Sequence, residues 1–336
     1  MAVFGYWQLT GGFLNGWLDL ELGQVYPTHR EISAKLEISK GLSAMNDNGK
    51  TTRVLFCGPD FPSSHDYTKE YLAGYPYIQL IMQFGVGLEG VDTDAATKAG
   101  IQVARIPGDI TGNAASCAEM SIYLMLGLLR KQNEIRISVE QMKLGEPIGV
   151  TLLGKTVFIL GFGNIGVELA KRLRPFGVKI FATKRSWSPS QLDGFTNDFV
   201  DEKGSHSEIY DFAGKADIIV CCMSMSKDTA GIINDKFLSS MRKGTLLINV
   251  ARGGLMDYDA VYHHLESGNL GGLGTDVAWK EPFDPNDKIL KMKNVLLTPH
   301  VAGVTEHSYR SMAKVVGDVA LLIHAGSPLS VVEIVN

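Results

Sequence analysis

The sequence contains few cysteines and no long hydrophobic run, and each absence excludes a class of protein. Its four cysteines are Cys57, Cys117 and the adjacent pair Cys221 and Cys222, so no two have the CxxC spacing of a metal or redox motif. We therefore expect no zinc site and no disulfide framework, and a reducing, cytoplasmic compartment. No apolar run approaches the roughly 18 residues that cross a membrane, which predicts a soluble protein.

Charge of either sign is also sparse. Charged residues make up 20% of the 336 residues, and the formal net charge is -4. A chain without a basic excess has no broad positive field for nucleic acid or anionic lipid, so we expect neither as a partner. The length predicts about two domains.

The first 50 residues match no targeting signal. Acidic residues, among them Asp19, Glu21 and Glu31, interrupt the apolar ones. A secretory signal has an unbroken apolar core, and a transit peptide is poor in acids. We predict that residues 1–50 form a poorly ordered extension, and the pattern leaves import into an organelle open.

Glycine, by contrast, is abundant, with 37 glycines in the chain. The segment Gly-Phe-Gly-Asn-Ile-Gly at 161–166 follows a predicted strand at 155–160 and begins a predicted helix, the context in which a GxGxxG motif binds a dinucleotide. There Gly161 allows the turn, Gly163 lets a pyrophosphate approach the backbone, and Gly166 lets the helix pack against the strand. The pattern favours a nucleotide site over a tight turn without a ligand.

Predicted strands and helices alternate along most of the chain. Further strands are predicted at 178–182, 217–222, 246–249, 272–276 and 295–297, with helices between them. This alternation predicts an α/β fold with a doubly wound, parallel, Rossmann-like sheet over residues 114–304, the NAD(P)-binding domain. Residues 51–113 and a last helix within 305–336 are predicted to form a second, smaller, discontinuous α/β domain.

The second strand of the Rossmann-like series ends without the expected acid. The sequence there is Ala-Thr-Lys-Arg at 182–185, so no carboxylate is present to accept a hydrogen bond from a ribose 2′-hydroxyl. Lys184 and Arg185 would instead pair with a 2′-phosphate. This favours NADP as cofactor and leaves NAD possible; the alternative interpretation is a solvated basic turn.

Three further motifs follow predicted strands in order along the chain. Arg252 lies in Asn-Val-Ala-Arg-Gly-Gly, Asp276 and Glu281 follow the next strand, and His300 ends Thr-Pro-His after the last. With these motifs the sequence resembles the D-isomer-specific 2-hydroxyacid dehydrogenases, the family that includes glyoxylate and hydroxypyruvate reductases and phosphoglycerate dehydrogenase. The resemblance implies an oxidoreductase in which Arg252, Glu281 and His300 are catalytic.

The chemistry of these side chains suits the reduction of a 2-oxo acid. The reaction adds a proton to the carbonyl oxygen, and His300 is a suitable acid near neutral pH. A carboxylate from Glu281 would favour the imidazolium and orient its ring. Arg252 keeps its charge and can hold the substrate carboxylate and polarise the carbonyl. Glutamate at 281 disfavours formate as substrate, because the related formate dehydrogenases have glutamine beside the histidine.

The resemblance also implies the remaining contacts. It assigns Asp276 to the nicotinamide carboxamide, Val86 and Gly87 with Arg252 to the substrate carboxylate, and a homodimer to the cofactor domain. The smaller domain would be flavodoxin-like and bind the substrate. Together, the residues predicted to bind the cofactor are Gly161, Gly163, Asn164, Ile165, Gly166, Lys184, Arg185, Ala251, Asp276 and Gly303.

The smaller domain departs from the family pattern near residues 77–80. About 21 residues separate the predicted strand at 53–57 from the one at 80–82, whereas a strand–helix–strand unit takes some 30 or more. We predict that one such unit is missing, and that substrate binding is impaired while the cofactor domain folds normally. The alternative function is therefore an NAD(P)H-binding module, or an impaired isoform that dimerises with intact subunits.

Overall fold

A computed structural model divides the chain into two compact units, residues 1–112 with 306–336 and residues 113–305. It describes residues 2–9, 12–19, 24–29, 42–45, 51–57, 78–83, 86–88, 91–187, 199–324 and 326–336. Residues before 80, and 316, 320, 321, 323 and 324, are described by their backbone alone.

The second unit contains a seven-stranded sheet. Its strands are β8 (Thr156–Leu160), β9 (Lys179–Thr183), β10 (Glu202–Gly204), β11 (Ile218–Cys221), β12 (Thr245–Asn249), β13 (Leu270–Thr275) and β14 (Val295–Leu297). They lie in the order β10-β9-β8-β11-β12-β13-β14, and all of the strand pairs are parallel. The Rossmann-like sheet predicted from the alternation is therefore confirmed.

Helices cover this sheet on both faces. They are α2 (Asn113–Leu129), α3 (Gln132–Glu140), α4 (Asn164–Leu173), α5 (Ile209–Lys215), α6 (Asp235–Ser240) and α7 (Tyr258–Glu266). Successive side chains of β8 point to opposite faces, so Val157 packs in the core with Leu169 of α4, while Phe158 packs in the other core with Phe212 of α5. Because both faces are covered, the strand reads as an unbroken apolar run.

The first unit contains a five-stranded sheet in the order β15-β7-β6-β5-β4. The strands β5 (Thr51–Cys57), β6 (Ile78–Gln83) and β7 (Gln102–Arg105) are mutually parallel, and β4 (Leu42–Met45) and β15 (Glu333–Ile334) pair antiparallel at the two edges. Its helices are α1 (Thr93–Lys98), which Gly100 follows with φ of +71°, and α8 (Glu306–His324).

Strands are also present before residue 42. β1 (Ala2–Leu9), β2 (Gly12–Asp19) and β3 (Gln24–His29) form a separate antiparallel sheet. Only backbone is described there, and the poorly ordered extension stays a prediction. Most of the segment predicted to lack a unit, residues 58–77, lies outside the described residues, so that hypothesis also stays a prediction.

Within the part of the chain that the structure describes, every helix is too short or too polar to cross a membrane.

Candidate active site

The glycine motif forms a tight turn between β8 and α4. Gly161 has φ of +96°, and a Cβ added to it would lie 2.6 Å from the Cβ of Met223. Gly166 packs close to the turn, where an added Cβ would lie 3.1 Å from the Gly161 carbonyl oxygen. Larger residues at either position would displace the turn.

The turn leaves open space at the start of α4. Gly163 is the N-cap residue, no side chain caps the helix, and an added Cβ would meet nothing within 4 Å. Asn164 is exposed and Ile165 half-buried in the first turn. Backbone N–H groups at a helix N-terminus attract anions, so this uncapped, open end fits the pyrophosphate of a dinucleotide.

A cluster of basic side chains surrounds Trp187 after β9. Lys184 and Arg185 are both exposed, and the Lys184 Nζ lies 5.9 Å from the centre of the Trp187 ring. Lys203 of β10 lies closer to the same ring, at 4.9 Å. Trp187 is fixed by its Nε1–H, which donates to the Gly204 carbonyl at 2.8 Å, and by the Phe162 ring of the glycine turn, 5.4 Å away.

Sequence reasoning missed Lys203. Its strand β10 (Glu202–Gly204) has three residues, two of them charged, and no apolar pattern that predicts a strand. The pairing of β10 with β9 brings Lys203 beside the basic turn. Three cations, rather than the two predicted, therefore lie at this turn.

The loop that carries Arg252 is held by the fully buried Asn249 at the end of β12. The Asn249 Nδ2 donates to the Arg252 carbonyl at 2.9 Å, and its Oδ1 accepts from the Ala251 N–H at 3.0 Å. The Arg252 Nη1 donates to the Ala251 carbonyl at 2.7 Å. Asn249 was not predicted as a site residue, and its only sequence signal is that of a polar residue at the carboxyl end of a buried strand.

Gly253 lets this loop approach the segment after β13. A Cβ added at Gly253 would lie 1.9 Å from the Ala278 carbonyl oxygen, a distance at which backbone must move. Glu281 is connected to the same segment, because its Oε1 accepts from the Ala278 N–H at 3.1 Å. The close approach of the two loops therefore depends on glycine at 253.

The structure brings His300 and Glu281 together as a hydrogen-bonded pair. The His300 Nδ1 lies 2.8 Å from the Glu281 Oε2, and the two side chains are 46% and 41% exposed. The hydrogen bond with Glu281 raises the pKa of His300 above its ordinary value, although partial burial works against the rise. Burial opposes ionisation of Glu281, but the hydrogen bond and charge of His300 outweigh it and lower that pKa.

Asp276 is buried directly beneath the segment that carries His300. Its Oδ1 accepts from the Val301 N–H at 2.9 Å and from the Thr298 hydroxyl, and its Oδ2 accepts from the Ala302 N–H at 2.8 Å. Burial raises the pKa of Asp276, and these three donors act against the rise. Thr298 was not predicted as a site residue, since a threonine before Pro-His carries no signal of its partner.

The remaining predicted residues have separate locations. Gly303 lies beyond Ala302, and its added Cβ would lie 3.4 Å from the Asn113 side chain. Val86 and Gly87 follow β6 in the first unit, whereas Arg252, Glu281 and His300 belong to the second. The structure thus brings the predicted acid–base pair together. The predicted substrate loop lies in the other unit and is described separately.

Among the described residues, no group of His, Cys, Asp and Glu side chains is arranged to hold a metal ion.

A nucleotide-type glycine turn and a His–Glu pair on one parallel sheet define a dinucleotide-dependent oxidoreductase. The sequence pattern of the D-isomer-specific 2-hydroxyacid dehydrogenase NAD-binding domain matches residues 122–302. This chain belongs to the D-isomer-specific 2-hydroxyacid dehydrogenase family, and it is an NAD(P)-dependent enzyme of that family. The resemblance predicted from the sequence motifs is confirmed.

Individual relatives agree with this assignment. The chain is 33% identical to a glyoxylate reductase of Thermococcus litoralis over 257 residues, 74% of this chain and 74% of the relative. It is 32% identical to a hydroxypyruvate reductase of Thermotoga maritima over 254 residues, 74% of this chain and 78% of the relative. The crystal structure of a glyoxylate reductase from Paecilomyes thermophila superposes with a TM-score of 0.70 at 28% identity, covering 82% of this chain and 81% of that one.

Proposed function

We propose that this enzyme reduces a small 2-oxo acid of the glyoxylate or hydroxypyruvate class to the D-2-hydroxy acid, with His300 as the proton donor. The observation that carries the proposal is the 2.8 Å contact between His300 Nδ1 and Glu281 Oε2. With Nδ1 directed at the carboxylate, Nε2 is the ring nitrogen that can donate to a carbonyl oxygen. The similar glyoxylate and hydroxypyruvate reductases supply the substrate class.

His300 and Glu281 act together on the proton. Glu281 stabilises the imidazolium and orients its ring, so the proton on Nε2 is available to the oxygen that develops negative charge. When that proton is transferred, the neutral imidazole retains its Nδ1–H bond to Glu281. A nicotinamide cofactor held by the turn at 161–166 would supply the hydride for the carbonyl carbon.

Arg252 binds the substrate in this proposal. Its guanidinium has a fork of donors that matches a carboxylate and keeps its charge through the cycle. Asn249 and Gly253 fix the loop on which it lies. Val86 and Gly87 stay predicted contacts of the substrate carboxylate, on the resemblance alone.

For the cofactor, the turn at 161–166 would hold the pyrophosphate, while Ala251, Asp276 and Gly303 would contact the nicotinamide end. A carboxylate has about four acceptor sites, and three of those on Asp276 accept within the chain. Counting the described residues alone, one site is left for a carboxamide N–H. Lys184, Arg185 and Lys203 support NADP over NAD, since three cations beside the ribose position suit a 2′-phosphate.

We further propose a homodimer formed through the second unit. The segment after α3 exposes several large apolar side chains, a pattern that marks protein interfaces. Leu144 is fully exposed, and Met142 and Ile148 are 92% and 83% exposed.

A cytoplasmic location is consistent with Cys117, Cys221 and Cys222, which are free thiols.

NADPH oxidation with a panel of 2-oxo acids tests the proposed reaction. We expect turnover of glyoxylate or hydroxypyruvate, and its loss in His300→Gln, which cannot act as the acid. Thermal unfolding with NADPH is measured beside it. If NADPH raises the melting temperature while no acid is turned over, the chain is a binding module and the proposal fails.

A further inference from the structure

The segment Thr298–Ala302, which presents His300, is bonded to Asp276 at four points. Three are the bonds to the Asp276 carboxylate from Thr298, Val301 and Ala302. The fourth is the His300 N–H, which donates to the Asp276 carbonyl oxygen at 2.8 Å. One buried residue therefore accepts from both sides of His300 and from His300 itself.

His300 needs such support for two reasons. Its φ of +57° lies in the left-handed region, which residues other than glycine rarely adopt and which the surroundings must therefore enforce. Its side chain is 46% exposed, so packing restrains the ring little. The Glu281 contact fixes the ring at Nδ1 and does not hold the backbone. The position of the backbone is left to Asp276.

We propose that Thr298 and Asp276 form a buried clamp that positions His300 for proton transfer. The inference rests on the proposed function of His300 and extends it: Asp276 is a positioning residue in addition to its predicted contact with the cofactor. Thr298 is part of the clamp because its hydroxyl is the only side-chain donor in the described part of the chain that bonds the Asp276 carboxylate. The hydroxyl fixes the start of the segment, and the Val301 and Ala302 N–H groups fix its end.

Two substitutions at Thr298 separate the hydroxyl from side-chain shape. Thr298→Val removes the donor but keeps the branched shape, whereas Thr298→Ser keeps the donor. We expect Thr298→Val to lower kcat for 2-oxo acid reduction about tenfold, as for the loss of one hydrogen bond to a charged group. KM for NADPH should change little, and Thr298→Ser should retain wild-type kcat.

A pH profile distinguishes positioning from a general loss of stability. If Thr298→Val loosens the segment, the contact between His300 and Glu281 weakens, and the high-pH limb of the reduction profile moves to lower pH. Thr245→Val serves as the control, because it removes another buried hydroxyl of the same unit, one that donates to the Ala216 carbonyl. That variant should lose stability without moving the limb.

The His300 ring signal in NMR provides a readout that does not need turnover. We expect its titration to shift to lower pH in Thr298→Val and Asp276→Asn, and to stay at the wild-type position in Thr298→Ser. If the variants shift the His300 titration in this way but the wild type turns over no acid, the proposed function fails while the clamp stands. Unchanged His300 titration and kcat in a folded Thr298→Val protein would overturn the clamp.

Discussion

The His300 imidazole and the Glu281 carboxylate meet with Nδ1 2.8 Å from Oε2, although 19 residues separate them in the chain. They follow the adjacent parallel strands β13 and β14, whose carboxyl ends lie at the same edge of the sheet. Each stabilises the charged form of the other: the pKa of His300 is raised and that of Glu281 is lowered. The pair therefore holds a proton at a pH where a free histidine has begun to lose it.

This relationship sets the pH dependence of the reaction. Reduction needs protonated His300, so its kcat/KM should fall as pH rises through the raised pKa of His300. Oxidation of the D-2-hydroxy acid needs the neutral ring and should rise over the same range. Glu281→Gln removes the carboxylate that raises this pKa, so both limbs should move to lower pH. Profiles of kcat/KM in the two directions measure the shift.

Glu266→Gln is the matched control for this prediction. Glu266 is exposed at the end of α7, and its change should leave both limbs in place. Limbs that stay at the wild-type pH in Glu281→Gln would show that another group governs the profile.

The Arg252 loop offers a test that depends on backbone alone. In Gly253→Ala the new Cβ would lie 1.9 Å from the Ala278 carbonyl oxygen, so the loop must shift. A misplacement near 1 Å can cost about 100-fold in rate, and we expect kcat/KM to fall by that order. Gly254→Ala is the control, because its Cβ would meet only the flexible Met225 side chain, with the nearest atom Sδ at 2.8 Å. Equal activities of the two variants would contradict the role assigned to Gly253.

Cofactor preference tests the basic cluster around Trp187. Lys184→Asp combined with Arg185→Ser should weaken NADPH about 10- to 100-fold, since charge-assisted bonds to a 2′-phosphate are lost, and should affect NADH little. Lys203→Ser should act in the same direction. Fluorescence titration gives both Kd values for each variant. Lys243→Asp, an exposed cation before β12, is the control, and equal losses of NADPH and NADH would remove the case for NADP.

The sequence predicted the parts of this enzyme that depend on local pattern. Apolar runs buried on both faces placed β8, β9 and β11 to β14 within one or two residues. Gly161 marks the turn by its φ of +96°, which residues other than glycine rarely adopt. Arg252, Glu281 and His300 followed from motif order.

What the sequence left out depends on contacts between distant segments. Lys203 is brought beside the basic turn by the pairing of a three-residue, polar strand, and such a strand has no periodicity. Thr298 acquires its role through Asp276, 22 residues earlier, and Asn249 through the loop that it caps. These partners are set by tertiary packing, which propensity and spacing do not encode.

The proposed dimer is tested by charge in the exposed apolar segment. Leu144→Asp combined with Ile148→Asp places two carboxylates where a partner would cover apolar surface, so we expect a monomer in sedimentation velocity with an unchanged fold by circular dichroism. Ile334→Asp puts one carboxylate on an exposed isoleucine of the first unit and should leave the assembly intact. A double variant that sediments like the wild type would exclude this segment from the interface.

Insertion of a strand–helix–strand unit near residues 77–80 tests whether the smaller domain is short. β5 and β6 are parallel neighbours, with Val54 opposite Leu80, so an inserted unit must open this pair and join the sheet between them. If the chain lacks the unit, an insert from the Thermococcus litoralis relative should lower KM for the 2-oxo acid. Kd for NADPH should stay the same, because the glycine turn lies in the second unit. An insert of equal length rich in glycine and serine is the control, since it adds chain without apolar strands. A wild-type chain that already matches the restored one in kcat/KM would show that the short domain is complete.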